Sequence, residues 1–111
     1  PRIAVWVKAK AYTHEQFTLE ELASSLYTNK TYLSTFIKEE YDMNFSGWVA
    51  SLRIDEAKRI MMKEPEKRLQ EVAFECGFSS LAYFSSVFSK SEGISPSAWQ
   101  REFSRKTDGE Q

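Results

Sequence analysis

Apolar residues recur at three- and four-residue spacing along most of this chain, which predicts helices separated by short polar breaks. Ile3, Trp6 and Val7 place a first helix over Pro1 to Tyr12, and Thr13 to Gln16 interrupts it. Thr18-x-x-Glu21 has the spacing of a capping box, so a second helix opens at Thr18 and carries the stripe Leu19, Leu22, Ala23, Leu26. Tyr27 to Asn29 is a short connection in which Thr28 or Asn29 can cap the next helix. That helix runs over about Lys30 to Glu40 and buries Leu33, Phe36, Ile37 and part of Tyr32. Helix, short turn, helix is the arrangement in which the second helix is free to enter a DNA major groove. The small Ala23 allows the two helices to cross closely.

Asn44 caps the longest predicted helix, which extends to about Lys63. Phe45, Trp48, Val49 and Leu52 form one apolar face, and Ile54, Ala57, Ile60 and Met61 form another. At about 100° per residue the two faces point in different directions. A helix whose stripe changes sides midway is expected to serve two cores in succession. Such a rod is about 28 Å long, close to the ~34 Å that separates successive major grooves on one side of B-DNA. Glu64-Pro65-Glu66 ends it. A further helix spans about Arg68 to Cys76, Gly77-Phe78-Ser79-Ser80 forms a turn, and another helix covers about Leu81 to Ser91. Gly93 stops that helix, and Ser95-Pro96 starts the last one in the favoured order of cap residue and then proline. Ala98, Trp99 and Phe103 close the second core, and Ser104 to Gln111 reads as a polar tail.

The pattern occurs twice. YLSTFIKEEYDMNFSGW at Tyr32 to Trp48 aligns without a gap on YFSSVFSKSEGISPSAW at Tyr83 to Trp99. Upstream, Leu19, Leu22 and Ala23 match Leu69, Val72 and Ala73, with one extra residue in the second copy before Tyr83. Two copies suggest one supersecondary unit used twice. Asp42 stands where the second copy has Gly93, and Asp tolerates the left-handed conformation that ends a helix better than most residues.

The 111 residues are enough for one small domain or two very small ones sharing a core, and 41% hydrophobic content supplies it. One cysteine and one histidine exclude an internal disulfide framework and a Cys/His zinc site. No apolar run approaches a membrane span, and no signal peptide is expected. The net charge of −1 weighs against nucleic-acid binding, although the distribution of charge matters more than its sum. Enzymatic work needs converging polar groups, and the nucleotide-binding and metal motifs are missing from the sequence; neither a catalytic residue nor a cofactor nor a metal is expected.

Ala73-Phe-Glu-Cys-Gly-Phe-Ser-Ser, followed by Tyr83-Phe84-Ser85, Phe88, Gly93 and Ser95-Pro96, resembles the signature of the AraC/XylS family of bacterial transcription regulators. The first copy, through Leu52-Arg53-Ile54 and Ala57, is similar to that family's first helix-turn-helix and linker helix, so the resemblance covers about Phe17 to Phe103. It implies an all-α, seven-helix domain with two homeodomain-like helix-turn-helix subdomains: a first unit over about 1–43, the linker helix over about 44–63, a second unit over about 64–104, and a flexible tail over 105–111. It also implies sequence-specific binding of double-stranded DNA in the cytoplasm by a regulator's output domain, with one recognition helix in each of two adjacent major grooves. Further partners would be RNA polymerase and an N-terminal sensory or receiver region outside this chain, without membrane contact by this segment.

Carried over by position, the base-reading candidates are Thr31, Ser34 and Thr35 in the first recognition helix, with Leu81, Ala82, Ser85 and Ser86 in the second. Phosphate candidates are Lys30, Lys38, Arg53, Ser89, Lys90 and Arg101, together with backbone amides near Thr18, Asn44 and Ser95. No Arg, Gln or Asn occupies the base-reading positions; Ser and Thr can bond either partner, and methyl groups can touch thymine. The second helix therefore reads as a weak base reader.

Simpler roles stand beside these. Tyr32, Leu33, Phe36, Trp48, Phe78, Phe84, Phe88 and Trp99 are expected in the core rather than against bases. Arg53 can pair with Asp55 or Glu56. The run Lys63 to Arg68 reads as a solvated loop, Cys76 as a buried small apolar residue, and His14 as a residue without catalytic company. The competing class is a helical interaction module that contacts a sensory domain or RNA polymerase.

Overall fold

The computed structural model describes the backbone of residues 18–109 and the side chains of residues 18–103. The expected first helix, with Ile3, Trp6 and Val7, and the His14 break lie outside the described residues. Among those described, six helices and no strand are found: α1 Leu19–Ser25, α2 Lys30–Tyr41, α3 Phe45–Lys63, α4 Leu69–Glu75, α5 Leu81–Glu92 and α6 Pro96–Gly109. α6 does not stop near Phe103 but continues to Gly109. No proline or glycine interrupts it after its first residue, and Arg, Glu and Lys are good helix formers.

Local chemistry sets the ends of these helices. Thr18 Oγ1 accepts from the Glu21 amide at 3.1 Å, Asn29 Oδ1 from Tyr32 at 2.8 Å, and Asn44 Oδ1 from Gly47 at 2.8 Å. Ser80 Oγ accepts from the Tyr83 amide at 3.1 Å and Ser95 Oγ from Ala98 at 3.1 Å. Asn29 and Ser80 thus hold the cap positions that Thr28 and Ser79 could have taken. Asp42 (φ 55°) and Gly93 (φ 83°) both end their helices left-handed.

The two α–turn–α units share their turn hydrogen bonds. Tyr27 N donates to Ser24 O (3.1 Å) and Thr28 N to Ala23 O (3.0 Å); Gly77 N donates to Phe74 O (3.1 Å) and Phe78 N to Ala73 O (3.0 Å). Tyr27 therefore occupies the position of Gly77, and both are left-handed, at φ 58° and 96°. For a tyrosine that conformation costs about 1–2 kcal/mol.

Two cores result. Leu22, Ala23, Leu33, Ile37, Trp48 and Val49 form the first, with Phe36, Phe45 and Leu52 packed against it. The second gathers Ile54, Ala57, Ile60 and Met61 with Val72, Ala73, Cys76, Phe78, Phe84 and Phe88, and Trp99 leans on it. α3 contributes to both, through its first half to one and its second half to the other. The particle measures 49 × 27 × 23 Å with a radius of gyration of 15.4 Å, above the ~13 Å of a compact 100-residue domain. Two small cores in a row account for that elongation.

One expected core residue is not in the core: Tyr32 is 64% exposed. Its counterpart Tyr83 lays its ring edge-on against Phe78, centroids 5.6 Å apart. In the first unit Thr28 takes the place of Phe78, so Tyr32 has no such ring to rest on. The run Lys63 to Arg68 is solvated as expected, with only Lys67 half-buried. Lys67 Nζ lies 2.7 Å from Glu75 and 3.6 Å from Glu64, and Gln100 Nε2 donates to Pro65 O at 2.8 Å. These contacts fasten the loop to α4 and α6.

Candidate nucleic-acid interface

With Leu33, Phe36 and Ile37 turned inward, helical periodicity carries Thr31, Ser34, Thr35 and Lys38 to the opposite side of α2. Thr31, Thr35 and Lys38 are exposed and Ser34 is half-buried. Ser34, Thr35 and Lys38 line one open depression together with Glu39 and Asp42. The structure thus brings three of the sequence-derived contact residues together. It adds two carboxylates beside the lysine, which reduce the attraction of this face for phosphate.

α5 presents the corresponding face. Leu81, Ala82, Ser86 and Lys90 are exposed, and Ser85 and Ser89 are half-buried. Ser89 stands where the first unit has Lys38, and Lys90 where it has Glu39. The two faces therefore differ in charge as well as in the side chains offered to bases.

Other phosphate candidates have protein partners. Lys30 Nζ sits 3.3 Å from Glu20 of α1. A hydrogen bond to its own backbone amide, and then Lys30, hold the Glu20 carboxyl below its usual range. The guanidinium of Arg53 lies 5.8 Å from the centroid of the Phe78 ring, within range of a cation–π contact. Arg53 thereby links α3 to the turn between α4 and α5. Glu56 accepts from Arg59, whose Nε and Nη2 each donate to it at 2.8 Å. Arg101 is exposed on α6.

The helix N-termini differ as anion sites. Glu20 and Glu21 lie in the first turn of α1, where they oppose a phosphate near Thr18. No acidic residue lies in the first turn of α3, after Asn44, or of α6, after Ser95.

Sequence reasoning missed the exposed rings of this region. Tyr27 is 84% exposed at the turn, and Tyr32 projects from the first turn of α2. The available signal was the alignment of Thr28 with Phe78, which removes the support for a ring at position 32.

Cys76, buried between α4 and its turn, has its thiol pushed up to about 12, first by burial and then by Glu56 and Glu75. It is packing material rather than a reactive group. Among the described residues no cluster of His, Cys, Asp and Glu could hold a metal ion, and no helix is long and apolar enough to cross a membrane.

The family profile described as "Helix-turn-helix domain" matches residues 22–102. The uncharacterized HTH-type transcriptional regulator YobQ of Bacillus subtilis is 33% identical over 90 residues, which cover 78% of this chain and 37% of that protein. The C-terminal domain of AraT, a response regulator from Geobacillus stearothermophilus, superposes with a TM-score of 0.81 at 29% identity, covering 91% of this chain and 82% of that one. The DNA-binding domain of AdpA, a global transcriptional factor solved in complex with a target DNA, gives 0.80 at 25% identity, covering 95% and 92%. This chain spans about a third of the length of YobQ.

Proposed function

Since the chain belongs to the AraC-type helix-turn-helix family, we propose that it is the DNA-binding output domain of a transcription regulator, with α2 and α5 as recognition helices in two adjacent major grooves. In this reading α3 is the rod that sets the spacing of the two units. One observation carries it: two helix-turn-helix units with matching turn hydrogen bonds are strung on a single helix that contributes to both cores. The 49 Å length exceeds the ~34 Å between successive grooves, which this reading requires. Response-regulator relatives make a receiver or sensory region the natural input, and RNA polymerase the natural target of the bound regulator.

Lys38, Lys90 and Arg101 are the phosphate contacts this reading favours, with the amides at the starts of α3 and α6. About five phosphate contacts give a slope of log K against log salt near −4 to −5. The test is selection of the chain on random duplex DNA at two salt concentrations, followed by titration of the enriched duplex. Lys38→Ala should weaken binding and flatten the slope by about 0.9. Retention that is independent of salt would refute DNA binding and favour a protein-contacting module, and a slope unchanged in Lys38→Ala would refute Lys38 as a phosphate contact.

A further inference from the structure

Leu81 is an exposed apolar residue. It is 39% exposed and is not one of the buried residues of the second core. It opens α5, is followed by the exposed Ala82, and shares its face with Ser85 and Ser86. Between Leu81 and Ser86 this face carries no charge, amide or guanidinium, and no acidic residue lies in the first turn. The first unit has Lys30 and Thr31 at the same two positions, so the apolar pair is particular to the second.

Resting on the DNA-binding reading above, the geometry points to a thymine-methyl reader: Leu81 and Ala82 take the C5-methyl groups of thymines in the major groove facing α5. The methyl is the apolar feature of the major-groove base edges, and it is what an aliphatic side chain can recognise there. Cytosine offers an amino donor at the neighbouring position instead. Closing Leu81 over that amino group would strip its water and return no hydrogen bond, which is costly. Ser85 and Ser86 can donate or accept, so they tolerate either base without discriminating strongly. The second unit thus selects by methyl contact and by exclusion of cytosine, where the first selects by hydroxyls beside Lys38.

The test uses duplexes enriched from random DNA by the full 111-residue chain. Each thymine is replaced in turn by deoxyuridine, which removes the methyl and keeps the pairing edge. Loss of one buried methyl corresponds to about a three- to four-fold fall in affinity. That fall is expected at one or two positions in the block contacted by α5, and it should shrink in Leu81→Ala. This variant keeps a strong helix former at a site outside the core, and its far-ultraviolet circular dichroism should match the parent's. Two outcomes overturn the inference while leaving DNA binding intact: an enriched second block without thymine, or deoxyuridine tolerated throughout it. Failure to enrich any duplex at either salt overturns both readings and would assign Leu81 to a protein contact.

Discussion

Phe78 is where the two units differ most in how the same turn is held, and Phe78→Ala tests that difference. The side chain is 1% exposed. Its ring lies 5.2 Å from Phe84 and 5.6 Å from Tyr83, centroid to centroid, with the Arg53 guanidinium 5.8 Å away on its face. Truncating a buried phenylalanine costs about 3–5 kcal/mol from lost burial and the cavity left behind. The ring pairs and the cation–π contact fall within that range rather than adding to it. For a domain of this size the total stability is on the order of 5–15 kcal/mol, so about a fifth or more is removed. The equivalent first-unit residue, Thr28, makes the same backbone hydrogen bond but is only half-buried. Thr28→Ala should cost under about 1 kcal/mol. Urea unfolding followed by circular dichroism gives both values. In a thermal scan Phe78→Ala should melt on the order of 15–25 °C lower. A cost below about 1.5 kcal/mol, or equal losses in the two variants, would refute the claim that Phe78 plugs the second unit. Because Phe78 also supports Tyr83 and receives Arg53, a stable but loosened Phe78→Ala should lose discrimination in the block read by α5 before it loses salt-dependent binding.

Two further outcomes follow from the turns. Tyr27→Gly should stabilise the chain by about 0.5–1 kcal/mol, because relief of the left-handed strain exceeds the added freedom of the unfolded glycine; Tyr27→Ala keeps its Cβ and should gain nothing, and equal effects in urea unfolding would contradict the strain argument. Cys76 has its folded thiol raised from 9.0 to about 12, so the unfolded chain releases that proton first and stability should fall as pH rises from about 9 to 12. Lys67, raised by its hydrogen bond to Glu75, acts in the same direction above 10.5. Cys76→Ala should flatten the loss between pH 9 and 10.5 in unfolding titrations, and an unchanged slope there would show that the thiol is not the group responsible.

How much of this was legible beforehand can be judged residue by residue. Asn29, Asn44, Ser80 and Ser95 cap helices because a short polar side chain reaches an amide two or three residues ahead. Asp42 and Gly93 end helices because the next turn requires a positive φ. The change of face along α3 is visible in the spacing of Trp48, Val49, Ile54 and Ala57 alone. All of these depend on neighbours within about one helical turn.

The partners of the charged and aromatic side chains could not be read in that way. Lys30 faces Glu20 because α1 and α2 cross; Arg53 lies over Phe78 because α3 passes the second turn; Lys67 finds Glu75 across the loop before α4. Tyr32 is exposed because a threonine, not a phenylalanine, lies in the turn beneath it. The sequence by itself determined the repeat, the helices, their caps and the two apolar faces of α3, since each is a consequence of periodicity and short-range hydrogen bonding. Only the tertiary structure decided which cations stay available for phosphate and which rings stay in the core, because those outcomes depend on groups that the chain brings together from different helices.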